Sequence, residues 1–517
     1  MIRYPILTFI IYSLCYVRKT FCANILLTED LGSPSHQIWN YALADELVLR
    51  GHNVTILGPK SIPLEGHEKF HRIELEGLYS AHAFDSETLY SYGRLNNLQL
   101  INEYALFTCN HSLGTNGFRT LMNYPKDFKF DVILFDITVS NCLLPLSQRF
   151  KSPPSIGLTA LLLPPHLSEA FGNPYQSSYL PHILFQFSND MSFLERLQNY
   201  VWTKLEAIVK KYYYTPKSEE IARRVFGESM QPFDTLLKQL SLLLCNLSPG
   251  FHHSQPFTPN IIPVGGVHID TKKKLPQDLQ EIMDNAKHGV ILFSLGSNVR
   301  SDALKVEKRK AIIDAFSKLN QIILWKFESQ LSDVPKNVII RRWLPQSEIL
   351  AHPNLKLFIT HGGGLSTIEG AFFGVPMLGI PFFVDQYHNI DLVLNRKMGS
   401  KLEYSTLTSD TLLSSIQAIL NNPMYSEEAK KISRVMRDMP ETAMERAIFW
   451  IEYVMRHNGT HILDPKSRSL SNFVSSSTDI HLFLLLLFVL LLYTSFKVVS
   501  SIISMLLKKK HKKTKKE

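Results

Sequence analysis

Cysteine is scarce in this chain, with five among 517 residues. Cys15 and Cys22 fall in an N-terminal apolar segment, so Cys109, Cys142 and Cys245 allow at most one disulfide and leave one thiol over. Cross-links do not build this fold. A D-x-D is missing, and with it the usual carboxylate site for a divalent ion bridging a pyrophosphate. G-x-G-x-x-G is missing as well: Gly32-Ser33-Pro34-Ser35-His36, after the first predicted strand, offers one glycine where a dinucleotide fingerprint needs three, which argues against an NAD-dependent dehydrogenase. No internal repeat is found. The formal charge of +9 is confined to the ends, with seven lysines and one glutamate from Lys508 to Glu517, and Arg3, Arg18 and Lys19 before Ala23. Without these and Lys497 the body is close to neutral, so a nucleic-acid partner is excluded.

What the chain has in quantity is apolar residue, 45% of the total, enough for two full cores. Arg3, the apolar run Ile6 to Val17, and small residues before Ala23 read as a signal peptide over 1–22, with an uncleaved anchor as the alternative. Residues 480–502 are long and apolar enough to span a bilayer, with Lys497 able to snorkel to its edge. The basic tail 503–517 stays cytosolic by the positive-inside rule, which puts the body in the lumen and makes the chain a single-pass type I membrane protein. Lys513-Thr514-Lys515-Lys516-Glu517 resembles a dilysine retrieval signal of the endoplasmic reticulum. Asn53, Asn110, Asn246 and Asn458 carry the N-x-S/T pattern of glycosylation acceptors; Asn53, at the start of a strand, is the weakest.

Between these ends the chain alternates strand and helix. Ala23 to Thr28 is an apolar strand, Gln37 to Arg50 has helical periodicity closed by Gly51, and Asn53 to Leu57 is a second strand. His36 then falls in the loop after the first strand, next to a helix N-terminus whose dipole favours the neutral imidazole that a general base needs. Phe130 to Asp136 is another buried strand, and Asp136 at its carboxyl end is placed to accept the second imidazole N–H; Asp131 lies at the wrong edge. From Pro153 to Pro181, prolines and apolar residues break the rhythm, and Tyr212-Tyr213-Tyr214 follows. This region suits the wall of an apolar pocket, or a packed loop, touching the membrane surface. Asn260 to Val267 is the crossing into a second domain. Val290 to Leu295 is a strand ending in Gly296-Ser297; helix 303–319 and strands Ile322 to Lys326 and Asn337 to Arg341 follow.

The stretch from Trp343 to Gln386 then reads as helix (Pro345 to Ala351), strand (Leu355 to Thr360), glycine turn (His361 to Gly364), helix (Leu365 to Phe373) and strand (Pro376 to Ile380). Glycines let backbone N–H groups come close to a ligand, and the next helix begins with partial positive charge, so the turn is built for a phosphate. Ser366-Thr367-Ile368-Glu369 also has capping-box spacing. Beyond it, Ser426 to Arg456 reads as one long helical segment.

Within these 44 residues the pattern Trp343-x-x-Gln346, Thr360-His361-Gly362-Gly363, Ser366-Thr367-x-Glu369, Gly374-Val375-Pro376 and Asp385-Gln386 resembles the nucleotide-sugar signature of the UDP-glycosyltransferases, as Ser35-His36-Gln37 resembles the context of their base. The resemblance implies the α/β GT-B fold, two facing Rossmann-like domains (23–262, acceptor-binding, and 263–456, UDP-sugar-binding), then a linker 457–479 and the C-terminal transmembrane helix. It implies that Trp343 stacks on uracil and Gln346 reaches the base edge or the ribose. Gly296, Ser297, His361, Gly363, Gly364 and Ser366 hold the pyrophosphate, Glu369 accepts the ribose hydroxyls, and Asp385 and Gln386 bind the sugar. One departure is Leu365 before Ser366, where some relatives carry an amide nearby, which leaves fewer donors for the phosphates. The implied reaction is inverting transfer of glucose or glucuronate from a UDP-sugar donor to a hydroxyl of a small lipophilic acceptor, with His36 as base beside Asp136 and without metal or cofactor. A non-catalytic UDP-sugar binder of the same fold is the alternative, and a homo-oligomer stays open.

Overall fold

A computed structural model describes residues 22–60, 70–79, 88 and 90–514 of the chain; nearly all of the signal-peptide segment and the last three residues of the tail lie outside them. Two parallel sheets form the body. The first runs through β1 (Asn24–Thr28), β2 (Asn53–Gly58), β3 (Phe70–Glu74), β4 (Val132–Asp136), β5 (Ser155–Thr159), β6 (Leu242–Cys245) and β7 (Ile261–Pro263), in the spatial order β3-β2-β1-β4-β5-β6-β7. The second contains β8 (Val290–Ser294), β9 (Ile322–Lys326), β10 (Val338–Arg341), β11 (Leu355–Thr360), β12 (Met377–Gly379) and β13 (Gly399–Lys401), in the order β10-β9-β8-β11-β12-β13. Every recorded pairing is parallel.

Parallel strands need both faces covered, and their sequences comply: VILFD, LLLC and VILFS are buried at every position. Each such Leu, Ile, Val or Phe contributes roughly 1.5–3 kcal/mol on leaving water. The helices that matter below are α1 (Pro34–Leu49), α2 (Arg94–Gly114), α3 (Phe193–Val209), α4 (Gly364–Phe373), α5 (Gln386–Asn395), α6 (Pro423–Arg437) and α7 (Ala443–Arg456).

Both sheets reverse direction at one place. In the first the reversal lies between β1 and β4, and in the second between β8 and β11, neighbours by direct pairing. In open α/β sheets the crevice outside the strand ends at such a point is where ligands bind. The strands after which His36, Asp136, Ser297 and His361 fall are these four.

Several sequence expectations change. The helix behind β1 starts at Pro34, not Gln37, because proline at the first helical position supplies a preset φ and lacks only an N–H that would be unbonded there; His36 therefore sits in the helix's first turn rather than in a loop. The proline-rich segment contains an inner strand, β5, with all five residues buried. The first sheet runs on to Pro263. The single long helix over 426–456 is two, α6 and α7, separated around Pro440, whose missing N–H cannot continue a helix. Helix α7 returns to the first sheet: Ala447, Ile448, Ile451 and Val454 join Ile25, Trp39, Leu43 and Leu47 in one buried cluster. Cys109 and Cys142 form a disulfide, and Cys245 is a buried thiol.

The residues after Asp464 form a separate unit. Its longest helix is α8 (Thr478–Thr514), whose segment Thr478–Lys508 is long and apolar enough to cross a membrane. The helix does not stop at the expected end of the span, since lysine is a good helix former and nothing in the basic run breaks it.

Candidate active site

β1 and α1 deliver His36. Its Nδ1 lies 3.2 Å from Oδ2 of Asp136, at the end of the adjacent strand β4, and both side chains are buried. Asp136 is further held by Asn40 Nδ2 at 2.8 Å on the same oxygen and by the Thr138 amide (3.0 Å) and hydroxyl (2.5 Å) on the other. Burial alone would raise its pKa, but the bonds from His36, Thr138 and Asn40 outweigh it and keep the carboxyl below the ordinary range. The result is a fixed carboxylate against one imidazole nitrogen. Asp131, at the other end of β4, accepts from the Asn24 amide at 2.7 Å, a structural task at the far edge.

The sequence analysis passed over two neighbours, Glu29 and Asp30, which follow β1 directly and are buried. Burial, with help from the Asp136 charge, raises both: Asp30 to about 7, Glu29 well above a normal carboxylate. Burial thus opposes a build-up of negative charge around Asp136. The Thr28-Glu29-Asp30 run at a strand end was the available signal.

In the second domain, β8 ends in the turn Gly296-Ser297 and β11 in His361-Gly362-Gly363. The His361 ring packs on both: a Cβ on Gly296 would lie 2.4 Å from its Cε1, and one on Gly363 2.6 Å from its Nε2. Gly296 and Gly362 have φ of +80° and +86°, a left-handed backbone that glycine alone adopts freely. Burial and the nearby Lys326 ammonium push the His361 pKa down to about 3, so the ring is neutral and acts as a hydrogen-bonding group rather than a cation. Its Nδ1 has no hydrogen-bond partner among the described residues. The cation of this corner is Lys326, at the end of β9, a residue the sequence analysis did not single out; its Nζ donates to Gly296 O and Glu328 Oε1, both at 2.8 Å. Ser297 is half-buried in the same turn.

Helix α4 starts at Gly364 behind an extended Gly363, with no side-chain cap on its first N–H groups. Ser366 does not cap the helix; its hydroxyl accepts from Gln346 Nε2 at 3.0 Å. Gln346 also donates to Glu369 Oε2, and Ser347 Oγ donates to Oε1 at 2.5 Å. Gln346, Ser366 and Glu369 thus form one cluster, and capping-box spacing is here a coincidence. Burial lifts Glu369 to about 7, against the two donors. His268 Nε2 stands 3.6 Å from Glu369 Oε1, and burial pushes this histidine down to about 3; no sequence pattern had marked it. Trp343 lies three residues before Gln346 and is 57% exposed, outside every core cluster.

Asp385 is placed at the start of α5 by a left-handed Val384 (φ 53°). Its Oδ2 accepts from Asn389 Nδ2 at 2.8 Å, and its pKa is raised, mainly by burial, with Asn389 and the imidazole of His36 opposing. The imidazole acting on it belongs to the helix that follows β1 in the first sheet. A direct link closes the same cleft: Asn298 Nδ2 donates to Ser33 Oγ at 3.2 Å. Gln386 turns its Oε1 inward, accepting from the amides of Phe382 (2.8 Å) and Phe383 (3.3 Å).

Asn246 is corrected outright as a glycosylation acceptor. It is buried, its Oδ1 accepts from Trp39 Nε1 (3.1 Å) and the Gly266 amide (3.2 Å), and the nitrogen that would carry the glycan donates to Ala160 O at 2.9 Å. Asn53, Asn110 and Asn458 are exposed.

Residues 32–513 match the family described as UDP-glucoronosyl and UDP-glucosyl transferase. Among curated relatives, UDP-glucosyltransferase 2 of Dactylopius coccus is 33% identical over 88% of this chain and 89% of its own. UDP-glucuronosyltransferase 2B1 of Rattus norvegicus is 30% identical over 92% and 93%. Among solved structures, the glycotransferase of kitacinnamycin superposes with a TM-score of 0.56 at 19% identity, covering 84% of this chain and 99% of that one. CalG4, the calicheamicin glycosyltransferase, gives 0.55 at 15% over the same shares. These last two support the fold, GT-B.

Proposed function

Because the chain belongs to the family of UDP-glucuronosyl and UDP-glucosyl transferases, and is a UDP-hexose glycosyltransferase, we propose that it moves glucose from UDP-glucose to a hydroxyl of a small lipophilic acceptor, with inversion at the anomeric carbon. His36 takes the acceptor proton on Nε2 while Nδ1 donates to Asp136, whose carboxylate offsets the imidazolium as it forms. The acceptor oxygen bonds to the anomeric carbon as the bond to the β-phosphate oxygen breaks; UDP departs with the electron pair, and the proton later passes from His36 to solvent.

In the donor site Trp343 stacks on uracil, and Glu369 receives the ribose hydroxyls beside Gln346. The diphosphate meets the amides of Gly363 and Gly364, the Gly296-Ser297 turn, Ser366 and the neutral His361, with Lys326 supplying positive charge behind them. Asp385 and the Gln386 amide nitrogen hold sugar hydroxyls. No metal enters this reading, since no D-x-D is present. Glucose is preferred over glucuronate on the strength of the 33% identical glucosyltransferase. Exposed Asn110 and Asn458, the Cys109–Cys142 disulfide and the lysine-rich end support a type I orientation with the body in the lumen of the endoplasmic reticulum.

The observation that carries this reading is the buried His36–Asp136 pair at 3.2 Å, with Asp385 from the other domain close enough to feel the imidazole. The test is UDP release from membranes expressing the chain, with UDP-glucose and UDP-glucuronate offered separately against phenols and steroid alcohols, beside His36→Ala. Acceptor-dependent release with UDP-glucose, lost in the variant while UDP binding persists, is expected. Equal release by the variant, or UDP binding with no release from any donor and acceptor pair, overturns it in favour of a non-catalytic binder.

A further inference from the structure

The chain crosses from the first sheet to the second along a fixed path. After β7 the amide of Gly265 donates to Leu247 O at 2.8 Å and that of Gly266 to Asn246 Oδ1 at 3.2 Å. A Cβ on Gly265 would lie 2.5 Å from the Leu247 carbonyl carbon, and one on Gly266, at φ +93°, 3.7 Å from the Ile368 side chain. The crossing is thus packed between the loop after β6 and helix α4. Two residues beyond Gly266, His268 arrives beside Glu369, the residue next to Ile368, with Nε2 3.6 Å from Oε1. Its side chain is 1% exposed, and neither ring nitrogen has a hydrogen-bond partner among the described residues. A neutral imidazole carries one N–H and one lone pair, so this buried ring holds a donor that the ligand-free protein does not use. Buried donors are rarely left in that state.

Glu369 lacks what His268 has to give. Its Oε2 accepts from Gln346 and its Oε1 from Ser347 Oγ, both on the short helix Gln346–Leu350, while an ionised carboxylate has about four lone-pair sites. No lysine or arginine pairs with it among the described residues. The titratable groups that face it are His268 and Glu348, and the Glu348 charge opposes ionisation. A buried carboxylate without a cation depends on every donor within reach. The distance of 3.6 Å is just beyond a hydrogen bond, and such contacts tighten when a ligand completes the site.

We propose that His268 is a positioning residue of the donor site, its Nε2–H closing on Glu369 Oε1 when the two ribose hydroxyls engage the carboxylate, so that a buried imidazole–carboxylate pair tells ribose from deoxyribose. This rests on the assignment of Glu369 to the ribose. Burial keeps the ring neutral. It donates a hydrogen bond and takes no proton, and the proton that Glu369 gives up on binding leaves for solvent. Bonds to a charged acceptor are the stronger ones, so the 2′-hydroxyl counts for more with His268 in place than without it.

The test is calorimetric binding of UDP and 2′-deoxy-UDP to the detergent-solubilised full chain, from about pH 6 to about pH 9. His268→Leu is expected to weaken UDP on the order of tenfold at the acid end and progressively less toward the alkaline end, where Glu369 ionises without help, and to narrow the preference for UDP over its deoxy analogue. His268→Asn, polar but too short to reach Glu369, should behave in the same way, whereas His268→Gln, which keeps an N–H at similar reach, should hold the parent's pH dependence. In a Glu369→Gln background His268→Leu should change nothing further. An affinity loss of one size at every pH, or one that persists without the carboxyl, overturns the proposal, since a ring that only fills space would act in that way. So does unchanged UDP binding in His268→Leu and His268→Asn. A Glu369→Gln variant that binds both nucleotides as the parent does would instead overturn the ribose assignment, and this inference with it.

Discussion

Gly296 and His361 occupy each other's space: the ring covers the glycine so closely that a methyl group there would lie 2.4 Å from Cε1, at a backbone φ of +80°. Gly296→Ala must therefore displace the imidazole or the turn and adopt a strained backbone, about 1–3 kcal/mol. The expected outcome is a rise of roughly tenfold in the KM for UDP-sugar, each tenfold corresponding to about 1.4 kcal/mol, and a lower melting temperature. Donor titration of the variant at saturating acceptor checks it.

Asp136→Asn keeps the shape but removes the charge that faces the imidazole, and its new NH₂ group confronts a donor whichever oxygen it replaces, Asn40 on one side or Thr138 on the other. Turnover should fall on the order of a thousandfold or more, the scale seen when a carboxylate orienting a catalytic histidine is lost. UDP affinity should stay within about twofold, since the donor site lies in the other domain. Single-turnover kinetics and calorimetric UDP binding separate the two effects.

Glu369 ties the donor site to pH. Its carboxyl rises from an ordinary 4.5 to about 7 in the fold through burial, so the folded protein binds this proton more tightly than the unfolded chain does. The group favours folding most below its unfolded pKa, and that contribution is lost as pH rises from 4.5 through 7, a change of about 3 kcal/mol at most. Ribose hydroxyls donating to Glu369 would favour its ionised form, so UDP binding near pH 6 should release a proton and release less at pH 8. Binding enthalpies in two buffers of different ionisation heat give the count, and Glu369→Gln should bring it near zero.

Asn246 and the exposed acceptors part company in a glycan assay. Asn110→Gln and Asn458→Gln should each remove one endoglycosidase-sensitive mobility step from protein made in the secretory pathway, whereas Asn246→Gln should remove none. It should instead destabilise, by about 2–4 kcal/mol, because Trp39 Nε1 and the Gly266 amide lose their shared acceptor in the interior. Thermal melting of the variant decides this.

Replacing Cys109 and Cys142 with serine should cost about 3–4 kcal/mol by the loop-closure argument for a sequence separation of 33. A reductant should lower the melting temperature of the parent protein toward that of the double variant and leave the variant unchanged.

Much of this architecture was legible in the residues, because doubly wound sheets advertise themselves through uninterrupted apolar strands. VILFD, VILFS and LKLFIT were each read within two residues of their observed ends. The chemistry at the strand ends was legible for the same reason: a strand end followed by glycine or histidine fixes where a side chain must be. Strand β5 escaped because the prolines around it look like loop, although Pro154 still gives its carbonyl to Ile133 of the neighbouring strand. Lys326 and His268 escaped because each is recognised by what folds against it from far away in sequence, and a single chain without partners shows none of that. The Asn246 pattern misled for the opposite reason, as an acceptor motif is local and burial is not.

Helix α7 has a consequence for biosynthesis. Four of its side chains complete the core of a sheet whose last strand is β7, yet the whole second domain is translated in between. At roughly 5–20 residues per second the ribosome takes on the order of ten seconds or more to bridge that gap. The first domain therefore waits, with an apolar groove beside Trp39 uncovered, until its last piece arrives. Any premature stop between the two elements would yield a half-protein with an unfinished core, a natural client for chaperones and a poor candidate for independent expression.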